Sequence, residues 1–133
     1  MKLVNLTPHQ IVIKTTGMGV NFGEHHDLVL ASAGVARLET RDEPYFGGQL
    51  AADHPTWPDG ACFNTVVRKF GEIGGLPEPA ELTMYVVSMP VAQRAAELGR
   101  TDVWAPDTGP SAIRENGQIV AVRGLVRFAP PAA

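Results

Sequence analysis

The chain lacks the features that mark several large classes of protein. A single cysteine, Cys62, excludes an intrachain disulfide and is typical of a reducing compartment. No apolar run approaches the ~18 residues of a membrane span, and the first one ends at Asn5, too early for a signal peptide. A net charge of −3 disfavours general binding to a nucleic-acid polymer. These absences predict a cytoplasmic protein without a membrane partner.

Metal-binding patterns are missing as well. His25 and His26 are adjacent, so in a strand they would point to opposite faces and would not share one ion. Neither His54 nor Cys62 completes a Cys-x-x-Cys or His-x-x-x-His spacing. The sequence therefore predicts no metal site and no cofactor.

The composition is that of one globular domain over residues 1–133. Hydrophobic residues make up 44% of the chain and charged residues 19%. The 11 prolines and 14 glycines indicate many turns and short strands, and Asn116-Gly117 predicts a tight type I′ hairpin. We expect an α+β fold, with a bent, mostly antiparallel sheet or a partly open barrel and one main helix.

The clearest local pattern is a strand followed by that helix. Residues 84–88 are apolar almost throughout, which predicts a central strand buried on both faces. Pro90 suits the first helical position, and Gly99 suits the left-handed residue that ends a helix. The pattern predicts a helix over residues 90–98.

Residues 41–63 have a different texture, since aromatic side chains alternate with prolines and glycines. We interpret the segment as a long excursion loop with room for one helical turn at residues 49–52. Loops of this length within a compact domain are usually functional or disordered, and the aromatics argue against disorder. Tyr45, Phe46 and Trp57 would form either a lid over a ligand or a contact with a second subunit of a homo-oligomer.

The segment Asn5-Leu6-Thr7-Pro8-His9 lies between two strand-like runs near the N-terminus. Proline presets its own backbone and pushes Thr7 away from helical geometry, so a sharp corner should display His9 at its exit. The polar side chains of Asn5, Thr7 and His9 would contact a ligand there. The alternative is a turn in which Asn5 and Thr7 satisfy backbone groups.

Four arginines, Arg37, Arg68, Arg100 and Arg114, each sit in a strand or at its end. Planar guanidinium groups suit phosphate and carboxylate ligands, so their convergence would create a pocket for an anion. The alternative is that each arginine pairs with a nearby acid at the surface. The turn around Asp107 offers either amides and hydroxyls to a ligand or a stiff connection between strands.

Seven ordered blocks extend over nearly the whole chain except residues 41–63. They are Asn-Leu-Thr-Pro-His (5–9), Gly-Val-Ala-Arg (34–37), Phe-Gly-Glu (70–72), Gly-Leu-Pro-Glu-Pro (75–79), Tyr-Val-Val-Ser (85–88), Arg-x-Asp-Val (100–103) and Pro-x-Thr-Gly-Pro-x-Ala-Ile-Arg (106–114). This succession resembles a family of small uncharacterised proteins from actinobacterial, prophage and tailed-phage genomes. The resemblance implies a cytosolic accessory protein of phage or mobile-element type, and it implies no particular chemistry. Residues 16–26 and 41–63 depart from the shorter pattern of that family.

The leading hypothesis is a protein that binds a small anionic, nucleotide-like molecule without turnover. One version, suggested by the phage setting of its relatives, sequesters a nucleotide of host immune signalling. A second hypothesis is a small hydrolase or lyase with His9 as general base and Glu72 or Asp107 as its partner. A third is an assembly protein that acts through residues 41–63. The predicted ligand-binding residues are Asn5, Thr7, His9, Arg37, Arg68, Arg100, Asp107 and Arg114.

Overall fold

A computed structural model of the chain describes residues 1–15, 27–52 and 55–130. These residues form ten strands and one helix. In chain order the elements are β1 (Lys2–Asn5), β2 (Ile11–Lys14), β3 (Asp27–Leu30), β4 (Arg37–Ala51), β5 (Cys62–Gly74), β6 (Thr83–Val86), α1 (Met89–Glu97), β7 (Val103–Pro106), β8 (Ile113–Glu115), β9 (Gln118–Ala121) and β10 (Leu125–Val126). The mixture of sheets with one helix confirms the α+β class.

The largest sheet has four strands in the order β1-β6-β7-β10. β1 pairs in parallel with β6, and β6 pairs in parallel with β7, whereas β10 is antiparallel to β7. The helix α1 connects β6 to β7, which is the crossover that two parallel neighbours require. Because the three strands are parallel, their carboxyl ends meet at one edge of the sheet.

The remaining strands form three two-stranded sheets, β2-β3, β4-β5 and β8-β9. No sheet closes into a barrel within the described ranges, so the prediction of a partly open barrel is wrong. Antiparallel pairing holds for β2-β3 and for β8-β9. Asn116 and Gly117 join β8 to β9 with φ values of 52° and 79°, which confirms the type I′ turn.

The predicted strand–helix unit is confirmed. Tyr85, Val86 and Val87 are buried, and β6 lies between two neighbours in its sheet. Gly99 follows α1 with a φ of 87°, and its N–H donates to the carbonyl of Ala96 at 3.0 Å. The helix packs against β7 with an alanine-rich face. No helix in the described part of the chain is both long and apolar enough to cross a membrane.

The chain divides into two compact units, one of residues 1–37 and 73–133 and one of residues 38–72. The first unit holds a core cluster built from β2, β6 and the segments around β8 and β9. Its members are Ile11, Ile13, Val86, Ala112 and Val122, with Leu30 and Leu125 packed against them. All the buried side chains among the described residues belong to this first unit.

The interpretation of residues 41–63 as a loop is wrong over most of its length. β4 continues to Ala51 and β5 begins at Cys62, so the two strands form a long hairpin. The predicted helical turn at residues 49–52 is likewise strand at its first three positions. The proline and glycines of this segment are typical of loops, which led to the wrong prediction. An edge strand nevertheless tolerates Pro44 and the consecutive left-handed residues Phe46, Gly47 and Gly48.

Candidate functional site

The N-terminal corner is held by the side chain of Asn5, which is 1% exposed. Its Nδ2 donates to the carbonyl of His9 at 2.8 Å and to the carbonyl of Leu30 at 2.9 Å. Its Oδ1 accepts from the backbone N–H of Thr7 at 2.9 Å and from the Thr7 hydroxyl at 2.7 Å. Both amide hydrogens and the oxygen are therefore used inside the protein. Asn5 thus shapes the corner and attaches it to β3.

The same corner exposes Pro8 and His9 and leaves Thr7 half-buried. The hydroxyl of Ser32 donates to the carbonyl of Thr7 at 2.6 Å, which fixes the corner from a second side. Thr7 and His9 both line a groove of about 340 Å³ in the first unit. The sequence predicted that the corner would display His9 at its exit, and His9 is exposed beside this groove.

The groove lies where the parallel strands β1, β6 and β7 reach their carboxyl ends. Thr7 and His9 follow β1, residues 87–89 follow β6, and Pro106 with Thr108 mark the end of β7. In open sheets with parallel strands, ligands bind in crevices outside these ends. Parts of β2 and β9 complete the lining.

Apolar side chains dominate the lining, and the polar ones are few. Ile119 and Val120 are 42% and 43% exposed, which is high for large apolar side chains in a strand. The polar lining residues are Thr7, His9, Gln10, Ser88 and Thr108. The β2 and β9 walls are joined, because Val122 N–H donates to the carbonyl of Val12 at 2.9 Å. The groove thus combines an apolar surface with a small set of convergent polar groups, as small-molecule sites do.

The N-terminus of α1 also reaches this groove through Ser88 and Met89. Ser88 occupies the N-cap position with extended backbone, and its carbonyl accepts from Ala92 N–H at 2.9 Å. Its hydroxyl makes no capping hydrogen bond, contrary to the usual role of serine at this position. Since the first N–H groups of a helix have no intrahelical acceptor, this end carries a partial positive charge.

Two of the predicted arginines in the first unit are held by protein groups. Arg100 Nε lies 2.9 Å from Asp102 Oδ1, and its Nη2 donates to Asp102 Oδ2 at 3.0 Å and to the carbonyl of Pro77 at 2.9 Å. The hydrogen bonds from Arg100 lower the pKa of the Asp102 carboxyl. Arg114 donates to the carbonyls of Thr108 at 2.9 Å and Gly109 at 3.4 Å. Both guanidinium groups therefore stabilise loops.

The other two arginines contribute no contact to the groove either. Arg68 belongs to the unit of residues 38–72, where its Nε and Nη2 donate to Asp42 at 2.8 and 3.0 Å and lower the pKa of that carboxyl. Arg37 is exposed. None of the four arginines lines the groove. An anion bound there would depend on other positive groups.

The remaining predicted site residues are placed as follows. Asp107 Oδ1 accepts from Gly109 N–H at 3.1 Å, and its Oδ2 accepts from the Ser111 hydroxyl at 3.4 Å, which makes its segment a stiff turn. Glu72 lies in the second unit. Tyr45 and Phe46 contact each other edge to face at the far part of β4, with ring centroids 4.5 Å apart.

The histidines considered as metal ligands, His25, His26 and His54, lie outside the described residues, as does the rest of the 16–26 segment. Within the ranges that the structure describes, no three His, Cys, Asp or Glu side chains gather around a common point.

Several lining residues were not predicted from the sequence, notably Gln10, Ile119 and Val120. The usable signal was the strand–helix unit itself, because the end of a buried strand before a helix is a common ligand position. The sequence offered no indication that β9 would lie against that edge.

Comparison with known proteins adds no functional information. No known protein family, curated protein or solved structure matches this chain. The family resemblance of the sequence blocks therefore stays a prediction, and the candidate site depends on its geometry alone.

Proposed function

We propose that this protein binds a small nucleotide-like molecule, without turnover, in the groove at the carboxyl ends of β1, β6 and β7. The observation that carries the proposal is the groove itself, which has a volume of about 340 Å³ and a mainly apolar lining with polar groups along it. Small-molecule sites span roughly 300–1,000 Å³ and have this mixed lining. The groove lies at the lower end of that range, which favours one mononucleotide over a larger ligand.

The lining suits the two chemical halves of a nucleotide. Ile119, Val120 and Pro106 offer an apolar surface to the face of a base or ribose. His9 and Gln10 are exposed beside it and can form hydrogen bonds with polar edges. These groups would supply orientation, while the apolar contact would supply most of the affinity.

The phosphate half would be held by the start of α1 in place of the arginines. Ser88, whose hydroxyl makes no capping hydrogen bond, and Met89 at the start of α1 line the groove, and Pro90 contributes no N–H. Helix N-termini bind phosphate groups because their N–H groups are unpaired and the helix dipole favours negative charge. The resemblance to phage proteins favours a signalling nucleotide of a host as the ligand, which a binder without turnover would sequester.

Thermal unfolding with a panel of mononucleotides tests the proposal. AMP, GMP, CMP, UMP, cyclic AMP and cyclic GMP are compared with their nucleosides. Ligand concentrations extend to about 5 mM, which is enough to detect a Kd of about 1 mM. A ligand present at about 100 times its Kd stabilises the fold by about 2.7 kcal/mol. We expect at least one nucleotide to raise Tm more than its nucleoside does.

A pair of matched variants assigns the effect to the groove. Val120→Glu places a charged side chain on the apolar surface and should abolish the shift in Tm. Leu98→Glu changes an exposed apolar residue at the end of α1, outside the groove, and should preserve it. A shift that survives Val120→Glu would place the ligand elsewhere, and the absence of a shift with every nucleotide would contradict nucleotide binding.

An enzyme is the rival function, because His9 and Ser88 both line the groove. A histidine with a serine hydroxyl can perform general-base or nucleophilic chemistry when the two are within hydrogen-bond reach. The nucleotide recovered after denaturation distinguishes the two. A protein that only binds releases the nucleotide unchanged, whereas an enzyme releases a reaction product. The His9→Ala variant of an enzyme should form no such product.

A further inference from the structure

The unit of residues 38–72 has no buried core among its described residues. It consists mainly of the β4–β5 hairpin, and none of its described residues is buried. Each strand of the hairpin has the other as its sole strand neighbour among the described residues. Two-stranded sheets alone are at best marginally stable in water.

This hairpin also carries an unusual concentration of exposed apolar side chains. They are 44–73% exposed. The set is Tyr45, Phe46, Trp57, Phe63, Val66, Val67 and Phe70. An aromatic side chain offers about 150–250 Å², so five that are about half exposed leave about 500 Å² on one copy. Four of the seven, Phe63, Val66, Val67 and Phe70, lie on β5, and the other three lie on β4 or in the connecting loop, so no single edge of the hairpin covers all of this area.

The distribution of these side chains favours extension of the sheet over packing of one face. Successive residues of a strand point to opposite faces, so Val66 and Phe70 share one face of β5 whereas Phe63 and Val67 share the other. A partner on one face would leave the opposite face exposed. A strand added at the edge gives cross-strand neighbours to both faces at once.

β5 is the better edge for this addition. β4 contains Pro44, which has no N–H, and a run of three left-handed residues at 46–48. β5 extends over 13 residues from Cys62 to Gly74 without a proline or a left-handed residue. Long regular edges of this kind template pairing with another strand.

The charges of β5 point to a second copy of the chain as the partner. Its basic residues are already neutralised within the hairpin, Arg68 by Asp42 and Lys69 by Glu43 at 3.1 Å. A polyanion or an acidic peptide would therefore find no free basic group on this strand. An antiparallel pair of identical strands is self-complementary and closes about a two-fold axis. We propose that two copies of this protein associate through antiparallel pairing of their β5 edges into a continuous four-stranded sheet, independently of ligand binding in the groove.

Sedimentation velocity over a range of protein concentrations tests the proposal. The wild-type chain should be a dimer, and Val66→Lys/Phe70→Lys should raise the dissociation constant at least about tenfold, the effect of losing one buried apolar side chain. Val29→Lys/Leu98→Lys is the matched control, because it adds the same charge at positions 51% and 54% exposed in the other unit. The control should remain dimeric. A wild-type chain that is monomeric throughout, or a dimer insensitive to the lysines in β5, would overturn the proposal.

A second measurement on the wild-type chain keeps the test valid if the lysine variant does not fold. Cys62 is the one cysteine of the sequence, is exposed, and begins β5, so it takes a single spin label. Antiparallel pairing places the two labels toward opposite ends of the joined strands. At about 3.4 Å per residue, a two-fold axis near the middle of β5 separates them by about 30–50 Å. A distance below about 20 Å would mean that the hairpins meet at their tips and would overturn edge pairing.

Discussion

The side-chain amide of Asn5 donates to the backbone carbonyl of His9 at 2.8 Å, across the corner that contains Pro8. The second hydrogen of the same amide reaches the carbonyl of Leu30 in β3 at 2.9 Å. One buried side chain therefore determines where the exposed His9 stands beside the groove. Fold and candidate site are coupled at this residue.

Replacing Asn5 should destabilise the fold. Asn5→Ala leaves the carbonyl of Leu30 and the N–H of Thr7 without this partner, whereas the carbonyl of His9 still accepts from the Thr7 hydroxyl at 2.9 Å. Each unsatisfied group costs about 1–3 kcal/mol. We expect a loss of about 2–5 kcal/mol in the free energy of unfolding, measured by urea denaturation.

Thr7→Val is the graded control for that substitution. It removes a hydroxyl that lies 2.7 Å from Asn5 Oδ1 but preserves the amide contacts. A loss of about 1 kcal/mol is expected. Equal effects of the two variants would show that Asn5 has no special role in the corner.

Gly75 is required by a close approach of two backbone segments. Its φ is 80°, and a Cβ added to it would lie 2.6 Å from the carbonyl oxygen of Val35. Gly75→Ala should therefore cost at least about 3 kcal/mol, since a steric clash adds to about 1–2 kcal/mol of left-handed strain.

Gly117→Ala separates these two contributions in a thermal melt. Gly117 has nearly the same φ, 79°, but no atom within 4 Å of its added Cβ. Gly117→Ala should therefore lower the free energy of unfolding only by the left-handed strain, about 1–2 kcal/mol. If Gly75→Ala costs no more than Gly117→Ala, the approach to Val35 is not a tight constraint.

The ion pair of Arg100 with Asp102 should make stability depend on pH. The folded protein lowers the pKa of the Asp102 carboxyl, mainly through the hydrogen bonds from Arg100. Its contribution is therefore complete above the unfolded pKa of about 3.9 and is lost as the pH falls through the lower folded value. Asp102→Asn should cost about 1–3 kcal/mol at pH 7, and its deficit relative to wild type should shrink below about pH 4.

Asp42→Asn serves as the exposed counterpart in the same denaturation series. Asp42 accepts from Arg68 with similar geometry, but both side chains are largely exposed, 42% and 57%. Water screens such a pair, so no measurable change in stability is expected at any pH. If the loss of stability in Asp102→Asn stayed constant from pH 7 to below pH 4, the Asp102 carboxylate would not stabilise the fold through its ion pair with Arg100.

Local chemistry in the sequence predicted the elements that depend on neighbours in the chain. The strand of residues 84–88, the helix beginning near Pro90 and the Asn116-Gly117 turn all follow from burial pattern, fixed φ and left-handed tolerance. These signals extend over a few residues, so the sequence contains them in readable form.

The relations between distant segments were the part that the sequence did not reveal. β1 pairs with β6 although most of the chain separates them, and no local pattern specifies that register. The arginines illustrate the same limit for the site. Their chemistry suits an anion, but Arg100 and Arg114 are held by Asp102 and by backbone carbonyls. Residue type indicated a possible function, whereas position decided which groups reach the groove.

The most direct test of the central claim is a map of backbone amide chemical shifts in the ¹⁵N-labelled protein during titration with AMP and cyclic AMP. Binding in the groove should give saturable shifts that cluster at Gln10, at Ser88 with Met89, and at residues 119–122, all of which line the groove. Shifts that are absent at millimolar nucleotide, or that fall on the β4–β5 hairpin and leave these residues unchanged, would contradict binding in the groove.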